Sequence, residues 1–379
     1  SALQAGFISS GMDVTLLGPL PTPGVSYLAN SNNQVGLVIS ASHNLFEDNG
    51  IKFFNKDGQK FSEELEKRIE SKLTEEMTAV DSINLGKASR LNDAQGRYVE
   101  FCKSSFTDLD LNGLSILLDC ANGATYSVAP KVFEELGASV KTISASPDGI
   151  NINQNCGSTN PDNLKEAMSG ADFDLGIAFD GDGDRILIVT SEGEVLDGDD
   201  ILYVLSSELK EGAGVVGTLM SNKSLELHFK NLGIQFKRAD VGDKYVLQEL
   251  LANSWQLGGE PSGHIICLDA SPTGDAIIAA LKFLSAIKNQ KFSVKKSLEG
   301  FNKFPQTLIN LKVDNPNKII INDSFWSEVT DVESNLGETG RVLIRPSGTE
   351  PLIRIMVESE DSTKSENLCN SLAELALKI

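Results

Sequence analysis

Apolar residues follow two patterns along the chain: short runs that favour buried strands, and helically spaced positions between them. Helical spacing that includes Ala2, Phe7 and Met12 predicts a first helix, and a strand over 14–17 follows it. We interpret the segment P-L-P-T-P-G over 19–24 as a stiff connector. Later buried strands are predicted over 35–39, 51–54, 115–119, 138–143, 173–179, 186–189, 214–220 and 234–239, and later helices over 63–77, 128–136, 224–232 and 243–252. This alternation predicts α/β units.

The length of the chain predicts several domains. Its 379 residues exceed roughly 250 to 300 residues, the length above which a chain usually divides into domains with separate hydrophobic cores. We predict three α/β domains with mixed sheets over 1–95, 96–195 and 196–300, and a smaller α+β domain over 301–379. The last domain should hold strands over 307–313, 341–344 and 353–357 and a helix over 364–377.

Composition and charge exclude several classes of function. The formal net charge of −20 argues against nucleic-acid binding, which needs clustered Lys and Arg. No apolar run approaches the roughly 20 residues of a membrane span, so we expect no membrane partner and a cytoplasmic location. The five cysteines lie singly, so neither a zinc site nor a disulfide framework is predicted. The chain opens within a helix and without a methionine, so we expect upstream sequence.

The stretch V-I-S-A-S-H-N-L-F-E-D-N-G-I-K-F-F over 38–54 combines a strand, a polar loop and a returning strand. Ser42 lies at the centre of the loop, and Lys52 lies on the returning strand. Alone, a serine before Asn and Asp is typical of a cap or a turn. Its interpretation as a nucleophile therefore depends on the other motifs of the chain.

The sequence D-G-D-G-D-R over 180–185 follows a predicted strand and precedes another. Three carboxylates at alternate positions on a glycine-containing loop can converge on one hard cation, whereas without a cation they repel. An EF-hand would need glycine and glutamate where this chain has Arg185 and Ser191. We therefore predict a metal loop of another kind.

Two further loops carry groups that suit a sugar phosphate. In G-G-E-P-S-G-H over 258–264, Glu260, Ser262 and His264 offer hydrogen bonds of the kind that sugar hydroxyls need. In R-P-S-G-T over 345–349, a guanidinium, two hydroxyls and a backbone freed by glycine predict a phosphate-binding loop. Ordinary turns are the alternative for both loops.

The four motifs, in this order, resemble the α-D-phosphohexomutase superfamily, and within it the branch that acts on glucosamine phosphates. The resemblance covers the whole chain and implies one shared topology for the first three domains. It also implies an upstream segment with a glycine-rich loop and a basic residue that faces the substrate. Two departures are Leu45, where the family usually carries proline, and Pro261, where it usually carries glutamine.

The resemblance implies an isomerase that interconverts glucosamine 6-phosphate and glucosamine 1-phosphate. Ser42 would carry the phosphoryl group, and glucosamine 1,6-bisphosphate would be intermediate and activator. Lys52 and Arg185 would flank the reacting phosphate, while His43 and Lys52 both remain candidates for the proton acceptor. The ligands of Mg²⁺ would be Ser42, Asp180, Asp182 and Asp184. The hexosamine phosphate would be bound by Glu260, Ser262, His264, Arg345, Ser347, Gly348, Thr349 and Arg354.

Other interpretations stay open at this point. A mutase for glucose or mannose phosphates would share every catalytic motif, although G-T-L-M-S-N over 217–222 favours glucosamine. A non-catalytic sugar-phosphate binding protein would need neither the metal loop nor the carrier serine. A serine hydrolase fits poorly without a G-x-S-x-G elbow.

The expected pathway is the supply of UDP-N-acetylglucosamine for cell-wall precursors, and a homodimer is one assembly left open.

Overall fold

A computed structural model of the protein describes residues 1–210, 212–346 and 351–379. In the first unit β1 pairs in parallel with β4, and β2 pairs antiparallel with β3, which places Val38 opposite Lys52. The elements are α1 (Ala2–Ser9), β1 (Val14–Leu16), α2 (Thr22–Ser31), β2 (Gly36–Ser40), β3 (Gly50–Phe54), α3 (Glu63–Lys72) and β4 (Ala88–Arg90).

Three predictions for this unit are wrong. The helix predicted over 63–77 ends at Lys72. The segment 19–24 is not a connector throughout, because α2 begins at Thr22. Pro23 fits the first turn of that helix, where a missing N–H costs no intrahelical hydrogen bond. The strand over 35–39 is buried on one face only, since Val35 and Ile39 are 64% and 60% exposed. Side chains alternate along a strand, and α2 covers the face that bears Gly36.

The second unit is built on a mixed five-stranded sheet with the strand order β6-β5-β7-β8-β9. The β5–β6 and β5–β7 pairs are parallel, and the β7–β8 and β8–β9 pairs are antiparallel. The elements are α4 (Ala94–Ser104), β5 (Ser115–Asp119), α5 (Ala129–Glu135), β6 (Ser139–Ile143), α6 (Asp162–Met168), β7 (Leu175–Phe179), β8 (Ile186–Thr190) and β9 (Val195–Leu196).

The third unit repeats this sheet with the order β11-β10-β12-β13 and the same strand directions. Its elements are α7 (Gly198–Ser206), β10 (Gly214–Thr218), α8 (Lys223–Leu232), β11 (Gln235–Ala239), α9 (Asp243–Asn253), β12 (Leu257–Gly259), β13 (Ile265–Cys267), α10 (Ala276–Ile287) and α11 (Val294–Ser297). The mixed sheets are confirmed, and the second and third units share a topology, whereas the shared topology expected for the first unit stays a prediction because its strands form two separate pairs. The hairpin turns β2–β3, β7–β8 and β12–β13 are three of the four loops singled out by sequence.

The last unit is an antiparallel sheet with the order β14-β16-β15. It has a core of its own, in which α13 and α14 pack on the sheet through residues such as Phe325, Ile355 and Leu372. The elements are β14 (Gln306–Lys312), α12 (Pro316–Ile320), α13 (Asp323–Leu336), β15 (Gly340–Pro346), β16 (Leu352–Ser359) and α14 (Ser362–Ala376). The predicted α+β class of this unit is confirmed.

Hydrogen bonds join the third and last units. The guanidinium of Arg341 donates to the carbonyl oxygens of Leu219 and Ser221 at 2.8 and 2.7 Å. The amide side chain of Asn222 exchanges two hydrogen bonds of 3.0 Å with the backbone of Phe304. Within the described ranges, no helix is long and apolar enough to cross a membrane.

Candidate active site

The β7–β8 turn that carries D-G-D-G-D is held by the beginnings of three helices. The consecutive carbonyl oxygens of Gly181, Asp182 and Gly183 each accept a backbone hydrogen bond of 2.8, 2.8 and 3.1 Å, respectively. The donors are the first residues of a short 3-10 helix, of α2 and of α10, in that order: Ala124, Thr22 and Ala276. The turn is therefore shaped by the first and third units as well as by its own.

The three carboxylates of this turn converge. Asp180, Asp182 and Asp184 are at most 4% exposed, and one ligand atom of each lies within 4.8 Å of the others. One oxygen of each carboxylate already has donors: Asp180 Oδ1 accepts two backbone N–H groups, while Lys52 Nζ lies 2.6 and 3.0 Å from Asp182 Oδ2 and Asp184 Oδ2. The remaining three oxygens are buried and have no hydrogen-bond partner among the described residues.

The electrostatics of the turn favour a bound cation. Burial, and after it the charges of Asp184 and Asp182, raise the pKa of Asp180 well above its ordinary value. Burial alone would lower the pKa of Lys52, but the two carboxylates beside it outweigh burial and raise that pKa. Three buried oxygens that have no donor among the described residues, in a turn with excess negative charge, suit a hard divalent cation such as Mg²⁺. The residues present therefore fit the predicted metal.

Ser42 lies against this turn through its backbone. Its φ of 53° is in the left-handed region, which non-glycine residues adopt at a cost. The carbonyl oxygens of Ser42 and Asn44 accept hydrogen bonds of 2.8 and 2.7 Å from the Asn153 side chain. A Cβ atom on Gly181 would lie 2.6 Å from the Ser42 carbonyl oxygen, so only glycine permits this approach of the two loops.

Three predicted site residues surround the same place. Lys52 pairs with two carboxylates, as described above. The Nδ1 atom of His43 and the Nε atom of Arg185 are buried without a hydrogen-bond partner in the part of the chain that the structure describes. Burial, and after it the charge of Arg185, lowers the pKa of His43, which keeps the imidazole neutral. The structure thus brings Ser42, His43, Lys52 and Arg185 to the β7–β8 turn over 180–184, which we call the metal turn. Their catalytic roles remain predictions.

The β12–β13 turn reaches the metal turn from the third unit. Arg185 and His264 form a bridge between the two turns, and the Ile186 N–H donates to the Gly263 carbonyl oxygen at 3.0 Å. The Oε1 atom of Glu260 accepts from the Gly242 N–H at 2.9 Å. Ser262 is exposed at the tip of its turn.

His264 lies deeper than its predicted partners in sugar binding. It is 3% exposed, with Nδ1 3.6 Å from Asp184 Oδ1 and Nε2 3.7 Å from Asp243 Oδ2. The role of His264 in contacting substrate stays a prediction.

In the last unit, two predicted arginines stand side by side. Arg345 on β15 is directly opposite Arg354 on β16. Burial, and after it the charge of Arg354, lowers the pKa of Arg345, so the two guanidinium groups repel each other. An anion between them would relieve that repulsion. The other residues predicted for this loop, Ser347, Gly348 and Thr349, lie outside the described residues.

Four contact residues were not found from sequence. They are Thr22 and Asn153, which hydrogen-bond to the D-G-D-G-D turn and the Ser42 loop, and Lys60 and Asp243, which pair with each other beside His264. Thr22 carried a misleading signal, because its proline neighbours favoured a connector. The others are single polar residues in loops or at helix starts, and their partners are distant along the chain.

Comparison with known proteins identifies the class. The descriptions "Phosphoglucomutase/phosphomannomutase, alpha/beta/alpha domain I", II and III match residues 1–80, 96–193 and 197–304, and the C-terminal domain of the same family matches 308–375. The chain belongs to this family, the α-D-phosphohexomutases, and has all four of its domains.

Among individual relatives, the phosphoglucosamine mutase of Alcanivorax borkumensis is 49% identical over 383 residues. The phosphoglucosamine mutase of Pseudomonas aeruginosa strain PAO1 is 50% identical over 385 residues. Each alignment covers 100% of this chain and 86% of the relative.

Solved structures agree on the fold. A phosphoglucomutase/phosphomannomutase family protein from Burkholderia thailandensis has a TM-score of 0.83 at 22% identity, over 100% of this chain and 85% of that one. N-acetylphosphoglucosamine mutase of Aspergillus fumigatus, in complex with GlcNAc-6P and magnesium, has a TM-score of 0.73 at 18% identity, over 94% and 92% of the two chains.

Proposed function

We propose that this protein interconverts glucosamine 6-phosphate and glucosamine 1-phosphate through a phosphoserine at Ser42. The observation that carries the proposal is the approach of the Ser42 loop to a turn with three buried carboxylate oxygens that lack donors within the described residues. Relatives with about half of their residues in common are phosphoglucosamine mutases. The Ser42 loop, the metal turn and the named relatives therefore all support the same activity.

In the proposed reaction, the Ser42 Oγ–phosphorus bond breaks and a bond to the free hydroxyl oxygen of the sugar phosphate forms. The product of this step is the 1,6-bisphosphate, and return of its other phosphoryl group to Ser42 completes the isomerisation. Asp180, Asp182 and Asp184 would hold Mg²⁺, with Ser42 as a further ligand. Mg²⁺ neutralises charge on a phosphoryl group in transfer.

The hydroxyl that attacks must lose its proton, and His43 fits the acceptor role better than Lys52. The Lys52 ammonium group already donates to Asp182 and Asp184, which hold it protonated. The His43 Nδ1 atom is buried beside Ser42 and has no donor among residues that the structure describes. We therefore assign the proton acceptor to His43 and the stabilisation of phosphoryl charge to Lys52 and Arg185.

A bisphosphate intermediate needs a second anion site for the phosphate that does not react. We assign this site to Arg345, Arg354 and the loop residues Ser347, Gly348 and Thr349 that follow, because two facing guanidinium groups match an anion. Glu260, Ser262 and His264 would face the sugar from the third unit. The intermediate must also reorient in the site so that its other phosphate faces Ser42. The last unit would allow this by opening at the hydrogen-bonded contact between it and the third unit.

Several finer points belong to the same proposal. Glucosamine 1,6-bisphosphate would be both intermediate and activator, and a mutase of A. fumigatus is known in complex with glucose 1,6-bisphosphate. The product would supply synthesis of UDP-N-acetylglucosamine and of cell-wall precursors. A cytoplasmic location, the absence of nucleic-acid and membrane partners, and a homodimer stay predictions.

The test is a coupled assay with glucosamine 1-phosphate, glucose 1-phosphate and mannose 1-phosphate, each with its own bisphosphate. We expect the highest kcat/KM with glucosamine 1-phosphate, and one phosphate on Ser42 by peptide mass mapping. A clear preference for glucose or mannose phosphate would assign the chain to another branch of the family. Full turnover of Ser42→Ala with added bisphosphate would remove the phosphoserine mechanism.

A further inference from the structure

Thr22 contacts Asp182 at two points. Its backbone N–H donates to the Asp182 carbonyl oxygen at 2.8 Å, and its hydroxyl donates to Asp182 Oδ2 at 2.5 Å. The two residues are 160 positions apart in the chain, and Thr22 is 1% exposed. A two-point contact fixes both the backbone and the side-chain torsions of the residue that receives it. Thr22 therefore determines where the Asp182 carboxylate points.

The hydroxyl of Thr22 does not have the usual task of a threonine at a helix start. Such residues commonly cap the helix by accepting a backbone N–H. In α2 the capping position belongs to Pro21, and no side-chain cap hydrogen bond is formed there by the described residues. The hydroxyl is instead directed out of the helix at the metal turn. This geometry indicates a role toward Asp182 rather than toward α2.

Lys52 shares the same carboxylate oxygen but is held less rigidly. Its ammonium lies 2.6 Å from Asp182 Oδ2, at the end of a long side chain that is 23% exposed. In the proposed function, Lys52 also stabilises the phosphoryl group, so it cannot hold Asp182 alone throughout the reaction. Thr22 is short, β-branched and buried, so it has little freedom to leave. With Oδ2 occupied by Thr22, Oδ1 stays directed at the place where the three carboxylates meet.

We propose that Thr22 is a positioning residue for the metal centre, which holds the Asp182 carboxylate in the orientation that binds Mg²⁺ while Lys52 serves the phosphate. This inference rests on the proposed function, because it assigns the metal to the Asp180–Asp184 turn. It also gives the first unit a second contribution, besides the proposed ligand Ser42, to a metal site whose aspartates all belong to the second unit.

The test is Mg²⁺ binding, measured by titration calorimetry without substrate, on proteins in one state of Ser42 phosphorylation. Thr22→Val keeps the shape and removes the hydroxyl, and we expect it to weaken Mg²⁺ binding by about 10- to 100-fold, as is typical when a residue that orients a metal ligand is lost. Thr22→Ser should restore most of the affinity. KM for glucosamine 1-phosphate should not change, and high Mg²⁺ should recover kcat of Thr22→Val.

Thr307→Val is the matched control, since that hydroxyl pairs with Ser365 Oγ at 3.1 Å in the last unit. It should bind Mg²⁺ as the wild type does. If Thr22→Val fails to fold, comparing Thr22→Ser with Thr22→Ala isolates the hydroxyl, because both lack the methyl group.

Wild-type affinity in Thr22→Val, or equal weakness in Thr22→Val and Thr22→Ser, would overturn the role of Thr22. Failure of the wild type itself to bind Mg²⁺ would instead overturn the proposed metal site.

Discussion

Asn153 should control the reactivity of Ser42, although it lies in another unit. Its Nδ2 atom donates to the carbonyl oxygens of Ser42 and Asn44, and the residue is 5% exposed. Asn153→Asp preserves the size of the side chain and tolerates the left-handed backbone, whose φ is 57°. The substitution removes both donors and places a carboxylate against two carbonyl oxygens.

The magnitude follows from the backbone of Ser42. A left-handed φ costs a non-glycine residue about 1 to 2 kcal/mol. Two neutral hydrogen bonds contribute about 1 to 3 kcal/mol together, which is enough to offset that cost. Without them Ser42 should leave the left-handed region and move its Oγ atom away from the metal turn. Since about 1.4 kcal/mol corresponds to a factor of ten, kcat/KM should fall by roughly 5- to 150-fold.

Asn155→Asp is the matched control, because Asn155 has a φ of 54° in the same loop and is exposed. The assay is the coupled mutase reaction, together with the rate at which phosphate passes from Ser42 to glucosamine 1-phosphate in one turnover. Asn153→Asp should slow both, whereas Asn155→Asp should slow neither. Equal rates for the two variants would refute the idea that Asn153 maintains the conformation of Ser42.

Three further predictions follow from the site and the core. Chelation should stop turnover and Mg²⁺ should restore it, and Asp182→Asn should lower kcat by orders of magnitude, because an amide keeps the shape but loses the charge. Arg345→Ala should raise KM by roughly 10- to 150-fold through loss of a charge-assisted hydrogen bond, and Arg345→Lys should recover only part of it. Asp199→Asn should increase stability against urea at about pH 8 more than at about pH 4. Burial, and after it the charge of Asp197, raises the pKa of Asp199 to about 7 from an ordinary 3.8, so the native state keeps a proton that the unfolded chain releases, and stability falls as pH rises through that window.

Each of these three predictions could be contradicted by a specific result. Activity in excess chelator would remove the metal from the mechanism. If Arg345→Ala kept its affinity for sugar phosphate but lost metal-dependent hydrolysis of phosphoserine, Arg345 would belong to the reacting centre. An equal effect of Asp199→Asn at both pH values would mean that Asp199 is ionised in the native protein throughout.

Sequence patterns were most successful for features that depend on residues close to one another in the chain. Strand β5 lies where its short apolar run placed it. The α8–β11–α9 succession also lies where it was predicted, because burial of one face imposes a short period on the chain. Helix α10 was not predicted, because its twelve residues show no clear alternation of apolar and polar positions. Nine of them are buried and Lys282, Ser285 and Ala286 are half-buried, and a nearly continuous apolar run does not distinguish a helix from a strand.

The metal turn was predictable for the same local reason. Asp180, Asp182 and Asp184 alternate within five residues of one hairpin, so the local geometry of the turn places their carboxylates near one another. The Ser42 loop was interpreted as catalytic only through resemblance to a family, since its motif by itself is typical of an ordinary turn, whereas the residue types around Arg345 themselves indicated a phosphate-binding loop.

Tertiary structure decided which groups act on those carboxylates. Thr22 and Lys52 reach Asp182 across 160 and 130 residues of chain, and Asn153 reaches Ser42 across 111. Local pattern encodes the conformation and exposure of a residue, but not the partner it meets. That partner depends on how the units pack against one another, which is the sum of many weak contacts distributed over the whole chain.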